Sequence, residues 1–342
     1  MNKVTKIGVT ALCGSLAAVA ANAGGMTVSG GAGLTWTSES GTVNGNPIGM
    51  KNNLTFGAAG ELDNGWAWNM NAYQSDANTL TSSTWSMNMD TLGSLKVDFG
   101  AGGVGLDALD DKMPTAWEET HGTGAASGVD TITGVHGSAA IQYTTPKILG
   151  TTLAVAWAPE RDGGGLQADL GNSGSLDNRY GQGVDAVIQM NASLGTDILS
   201  GLNLFVGASQ IQTENSDGGD DHYEGTAGFT YALGPVTVGL QKMGEATGSD
   251  VRGATDHYES MAYGVSFNVS DNIALSYGYY ESARDTNDGA DSTRVELDIE
   301  SIQLSYTIGS LGIKLASTEV GNAAYSSGSN AEATTLAFSL AF

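Results

Sequence analysis

The sequence predicts an all-β protein: a transmembrane antiparallel β-barrel of sixteen strands, with long outer loops and short periplasmic turns. Three observations predict it. A two-residue hydrophobic period runs through nearly the whole chain, and a helical period is almost absent. The residues between the apolar ones are mostly Gly, Ser, Thr, Asn and Gln, not the Lys and Glu that cover the wet face of a soluble sandwich. Short and long connections also alternate, as they do when hairpins cross a membrane back and forth.

The elements follow in order. Residues 1–23 read as a signal peptide: Lys3 and Lys6, an apolar stretch from Ile7 to Ala21, then the small-x-small exit Ala21-Asn22-Ala23. Cleavage after Ala23 removes Cys13, the single cysteine, so no disulfide framework or cysteine-based zinc site is expected. Thr10-Ala11-Leu12 before Cys13 does not fit a lipoprotein signal. The barrel is expected over residues 24–342. Tight connections fall at Asp63-Asn64-Gly65, Leu92-Gly93-Ser94, Leu149-Gly150-Thr151, Gly195 to Gly201, Gly234-Pro235, Asp271-Asn272 and Gly309-Ser310. Longer polar connections lie near 40–48, 75–78, 102–136, 161–182, 215–221, 247–256, 286–293 and 323–330. Together they join sixteen strands, which need roughly 150–180 residues at about 9–11 each.

The last segment is the clearest strand, with Leu336, Phe338, Leu340 and Phe342 alternating with Thr335, Ala337, Ser339 and Ala341. The same period runs through Val184-Ala186-Ile188-Met190, Val236-Val238-Leu240, Met261-Tyr263-Val265-Phe267-Val269 and Ile273-Leu275-Tyr277-Tyr279. Trp36, Trp66, Trp68, Trp85 and Trp157 fall in or beside such segments, where a barrel carries its interfacial aromatic girdles. One strand changes phase, from Val295, Leu297 and Ile299 to Ile302, Leu304, Tyr306 and Ile308. A bulge near Glu300-Ser301, or a strand rising beyond the membrane, reconciles the two.

The formal charge of −24 excludes the phosphate attraction on which nucleic-acid binding rests. Removing the signal leaves 11 basic against 37 acidic residues.

The signal peptide, the sixteen alternating strands, the long third loop and the terminal Phe342 together resemble the general-diffusion porins of Gram-negative bacteria. The glycine-rich acidic character most resembles the alphaproteobacterial branch. The alternating ending Leu336, Phe338, Leu340 and Phe342 is similar to the C-terminal signal read by the outer-membrane assembly machinery. The resemblance implies homotrimers set among outer-membrane lipid and lipopolysaccharide, passive flow of small hydrophilic solutes, and a third loop folded into the lumen. The Pro-Glu-Phe-Gly-Gly-Asp stretch of enteric porins is absent from that loop, as is a dense arginine cluster for the facing wall.

Other motifs carry less. Gly100-Ala101-Gly102-Gly103-Val104-Gly105 has the GxGxxG spacing, but a polar loop follows it where a dinucleotide fold needs a helix. The stretch from Gly102 to Asp107 fits one calcium nonapeptide, a motif that works only in tandem. Asp217, Asp220, Asp221 and His222 read as a solvated loop tip and not as a cation site. His121, His136, His222 and His257 sit in no nucleophile motif, so no enzyme, cofactor or metal is expected.

The third loop, 102–136, carries the functional argument. It is too long to be a mere connection, and Met113-Pro114-Thr115-Ala116-Trp117 gives it an apolar anchor. As a constriction it places Asp107, Asp110, Asp111, Glu118 and Glu119, with Lys112 as the nearby cation, across the lumen. Carboxylates in a narrow pore favour cations. Strand parity turns Lys51, Lys96, Asp98, Arg284 and Lys314 inward as the facing wall. The expected function is a cation-preferring diffusion channel. The alternative is a non-channel surface barrel or adhesin, which needs no acidic inward loop.

Overall fold

The computed structural model describes residues 25–40, 46–75, 79–137, 139–161, 180–191, 200–213, 219–288 and 293–342. The signal peptide, its cleavage point and Asp217 lie outside these residues. The strands are β1 (Thr27–Ser40), β2 (Ile48–Glu61), β3 (Ala67–Ser75), β4 (Thr79–Asn88), β5 (Ser94–Phe99), β6 (Ala139–Thr144), β7 (Thr151–Ala158) and β8 (Tyr180–Asn191). They continue with β9 (Leu202–Thr213), β10 (His222–Leu233), β11 (Val236–Ala246), β12 (Thr255–Ser270), β13 (Ile273–Thr286), β14 (Arg294–Ile308), β15 (Leu311–Gly321) and β16 (Ala331–Ala341). Each pairs antiparallel with its neighbours in sequence, and β1 pairs with β16 to close the barrel. The strand bounds fall on either side of each short connection read from the sequence, and the long connections join the opposite strand ends. Residues 41–45, 76–78, 162–179, 192–199, 214–218 and 289–292 of these connections lie outside the described residues.

The alternation has a physical cause. Successive side chains on a strand point to opposite faces, so one phase meets lipid and the other the lumen. Val184 and Ile188 of β8, Leu240 of β11, Met261, Tyr263, Val265 and Phe267 of β12 and Phe338 and Leu340 of β16 all lie exposed on the outer face. So many exposed large apolar side chains are intelligible only where lipid covers them. Trp36 and Trp157 share that outer face.

The barrel closes through backbone at its last residue. Gly30 N–H donates to the Phe342 carbonyl at 2.9 Å, and Phe342 N–H donates to the Gly30 carbonyl at 3.0 Å. The phenyl ring itself points outward and is exposed.

β14 carries no bulge at Glu300-Ser301. Its register against β13 and β15 is unbroken. Leu297, Ile299, Ser301 and Gln303 form one continuous buried inward phase, and Ile302 lies on the opposite, exposed face. The change of apolar phase has a different source: Leu297 and Ile299 face inward because an apolar core lies inside the barrel there. That core joins Leu106, Leu109, Met113, Ala125 and Ile132 of the third loop to Val187, Phe205, Met243, Ala262, Tyr280, Leu297, Ile299 and Val320 of the wall. That core fills much of the lumen along β8–β15, and the larger open space lies toward β1, β2, β15 and β16.

Candidate functional site

The third connection leaves β5 at Phe99 and returns at Ala139. The glycines at its start form a winding neck, not a nucleotide cradle. Gly100, Gly102, Gly103 and Gly105 all have positive φ, between 56° and 84°, a backbone region that glycine visits freely. Lys96 and Asp98 hold this neck. Lys96 Nζ donates to the Gly102 carbonyl at 2.7 Å, and Asp98 Oδ2 accepts the Ala101 and Gly102 N–H groups, each at 3.2 Å. Both point inward, but Asp98 is wholly buried beneath the loop. They tether the loop and do not form the open wall expected from parity.

Asp185 of β8 fastens both legs of the loop at one point. Its Oδ2 accepts Leu106 N–H of the outgoing leg at 2.7 Å and Val135 N–H of the return leg at 3.1 Å. Gly105 and Gly134 close over the same carboxylate, with no room for a Cβ on either. Beyond that point the loop crosses the wall on a series of polar side chains. Lys112 N–H donates to Gln241 Oε1 at 2.9 Å, and Ala116 N–H donates to Ser276 Oγ at 2.8 Å. Gln303 Oε1 accepts from Trp117 and Glu118, and its Nε2 donates to the Glu118 carbonyl at 2.8 Å. Thr123 meets Ser301 and Thr318, and Ala126 N–H reaches Glu39 Oε1 of β1. On the return, Glu224 Oε2 accepts Thr133 N–H at 2.8 Å and Gly134 N–H at 2.7 Å.

Inward glycines let the loop lie close against the wall. A Cβ on Gly239 would sit 2.7 Å from Pro114 Cδ, and one on Gly264 would sit 3.1 Å from the Pro114 carbonyl oxygen. The Met113-Pro114 anchor is seated there, with Met113 buried. Gln142, Asp185, Glu224, Gln241 and Gln303 are docking residues absent from the sequence reading. Their one signal was a polar side chain in the inward phase of a strand, which reads equally well as wet lumen.

The five acids of the loop do not share one environment. Asp107 Oδ2 turns back to accept Gly103 N–H at 2.6 Å. Asp110 Oδ1 accepts Asp111 N–H, and burial raises the Asp110 pKa. Asp111 lies buried, its Oδ2 3.9 Å from His121 Nδ1; burial pushes its pKa up to about 6. Glu119 Oε2 lies 3.2 Å from His121 Nε2, and that hydrogen bond holds its carboxyl below the usual range. Burial pulls the His121 pKa down. The bond to Glu119 and the charges of Asp111, Glu119 and Asp110 outweigh it, and the pKa ends raised.

Glu118 is the most open of the five and lines the open part of the lumen. A cavity of about 930 Å³ there is lined by Trp117 and Glu118 of the loop and by Lys51, Asn53 and Thr55 of β2 and Lys314 of β15. Lys314 Nζ sits 5.8 Å from the centre of the Trp117 ring. Arg284 points inward as well but not toward Glu118. It donates to the Tyr325 carbonyl at 3.2 Å and covers the Tyr325 ring at the long-loop end.

A wet lumen partly bridged by a loop, inside a lipid-facing sixteen-stranded wall, is an arrangement for conduction. The family model for Gram-negative porins matches residues 8–341. The chain belongs to that family. This porin therefore resides in the outer membrane as a passive diffusion channel. No curated protein matches it in sequence. Among solved structures it is similar to OmpT of Vibrio cholerae, at TM-score 0.64 and 9% identity over 93% of this chain and 97% of that one. It is also similar to an anion-selective porin from Comamonas acidovorans, at 0.63 and 14% over 93% and 99%. The Salmonella typhi OmpF complex with daunomycin aligns at 0.63 and 9% over 93% and 97%. At these identities the likeness is one of fold.

Proposed function

We propose that this porin passes small hydrophilic solutes and ions passively, prefers cations, and uses the third loop as its constriction. One observation carries the reading: within 102–136 six carboxylates accompany a single Lys or Arg, Lys112. Glu39, Glu224 and Glu245 add inward acids from the strands, against Lys51, Lys96, Arg284 and Lys314. Charges on outer loops are screened over about 8 Å at physiological ionic strength, but charges beside a permeating ion and backed by low-dielectric walls are not. Glu118 opposite Lys51 and Lys314 supports a transverse field that orients dipolar solutes.

In this reading residues 1–23 are removed on export. The assembly machinery reads Leu336, Phe338, Leu340 and Phe342 and inserts the chain among lipid and lipopolysaccharide. The trimer form recorded for Vibrio cholerae OmpT supports a homotrimer.

The zero-current potential across a planar bilayer in a salt gradient tests the proposal. Its sign should indicate cation preference. Changing Asp107, Asp110, Asp111, Glu118 and Glu119 to amides should move it toward zero or toward anions. Changing Asp217, Asp220 and Asp221 to Asn should move it far less. Equal shifts from the two sets would remove the constriction role, and an anion-selective native channel would overturn the electrostatic reading.

A further inference from the structure

A second polar cavity, of about 500 Å³, opens between the return leg of the third loop and the long-loop ends of β8–β12. Among the described residues it holds the one group of three metal-ligating side chains: His222 and Glu224 on β10 and Glu245 on β11. The fold brings them together simply. His222 and Glu224 are two apart on a strand and so share the inward face, and Glu245 is the direct register partner of Glu224. His222 Nε2 lies 3.0 Å from Glu224 Oε1 and 3.7 Å from Glu245 Oε1. A tetrahedral ion with ligands at roughly 2.0–2.2 Å sets neighbouring ligand atoms about 3.4 Å apart. The two distances bracket that value.

Two further features point to a cation. Glu224 is oriented from behind: its other oxygen takes the Thr133 and Gly134 N–H groups, which fixes the carboxylate with Oε1 directed at the cluster. The His222 side chain is nine-tenths buried, with its Nε2 turned to the two carboxylates and hydrogen-bonded to Glu224 Oε1. An imidazole with two carboxylates offers one nitrogen and charged oxygens, a set that suits zinc-class ions better than calcium or magnesium, which prefer all-oxygen shells. Arg161 also lines the cavity and donates to Thr133 Oγ1 and the Gly134 carbonyl of the loop.

We propose that His222, Glu224 and Glu245 bind one divalent transition cation of the zinc class at the long-loop mouth of the lumen. Through Glu224 the bound ion is linked to the return leg of the third loop.

Isothermal titration of zinc chloride into the folded, chelator-treated protein in detergent tests this. One zinc per chain is expected, with calcium chloride giving no comparable binding. Glu245→Gln and His222→Gln should each weaken zinc at least tenfold. Glu224 is left intact because it also holds the loop. The heat-modifiable gel mobility of each variant reports that the barrel has formed, and Glu245→Gln decides the matter should His222→Gln fail to assemble. Zinc affinity unchanged in Glu245→Gln, calcium bound as tightly as zinc, or no zinc bound at all would each overturn the proposal.

Discussion

Asp185→Ala should release the third loop at its neck while leaving the barrel closed. The carboxylate serves the outgoing and return legs at once, through Leu106 N–H at 2.7 Å and Val135 N–H at 3.1 Å. It is wholly buried, away from bulk water. Removing it strands two backbone donors at about 1–3 kcal/mol each, roughly 2–6 kcal/mol in all. At about 1.4 kcal/mol per tenfold, the low end raises the open population of the loop about 30-fold. The ladder of β8 against β7 and β9 does not use this side chain, so heat-modifiable mobility should survive. Limited proteolysis of the loop should accelerate at least about 30-fold, because cleavage follows the open population when opening is fast. Open-channel current noise should rise in parallel. Asp185→Asn keeps an acceptor oxygen and should fall between the two. Wild-type protease resistance and wild-type noise in Asp185→Ala would refute the tethering argument.

Three other outcomes are expected. Deleting Phe342 removes both backbone bonds to Gly30 and the last residue of the assembly signal; outer-membrane levels should drop while conductance per surviving channel stays unchanged, as counted in bilayers. Lowering pH from 8 to 5 should weaken cation preference in the zero-current potential, because His121, its pKa raised, gains a positive charge and Asp111, titrating at about 6, loses a negative one. Ordinary carboxylates near 4 stay ionised across that range, so His121→Gln should make the profile shallower, with Asp111 still titrating, and a native profile already flat would contradict the assignment. Gly239→Val drives a side chain into Pro114 and pushes the loop further across the lumen; the single-channel conductance should fall, at a stability cost of about 1–3 kcal/mol, and an unchanged conductance would show that the loop does not limit flow.

The strands were legible because each reports its own periodicity. Asp63-Asn64-Gly65, Gly234-Pro235 and Asp271-Asn272 punctuate it at hairpin ends, and the sixteen strands follow. The error at Glu300-Ser301 shows where this stops. Leu297 and Ile299 are apolar because Leu109, Met113 and Tyr325 share an internal core with them, and no local period reveals contacts with a loop more than 150 residues away. The site divides in the same way. That Lys51, Lys96, Asp98, Arg284 and Lys314 point inward follows from parity. What each touches follows from the path of the loop, which leaves Lys51 and Lys314 open to the cavity and closes Asp98 under the neck. His222 was read with Asp220 and Asp221 along the chain, whereas the register sets it with Glu224 and Glu245. Asp221 instead accepts from Gln210 Nε2 at 2.8 Å.

The most direct measurement is the current through single purified, folded channels in a planar bilayer as salt concentration rises. A water-filled passage beside Glu118, Lys51 and Lys314 predicts discrete ohmic steps whose size grows with salt without saturating, and whose zero-current potential favours cations. Absence of steps from correctly folded protein, the behaviour of a surface barrel that binds partners through its loops, would contradict the account.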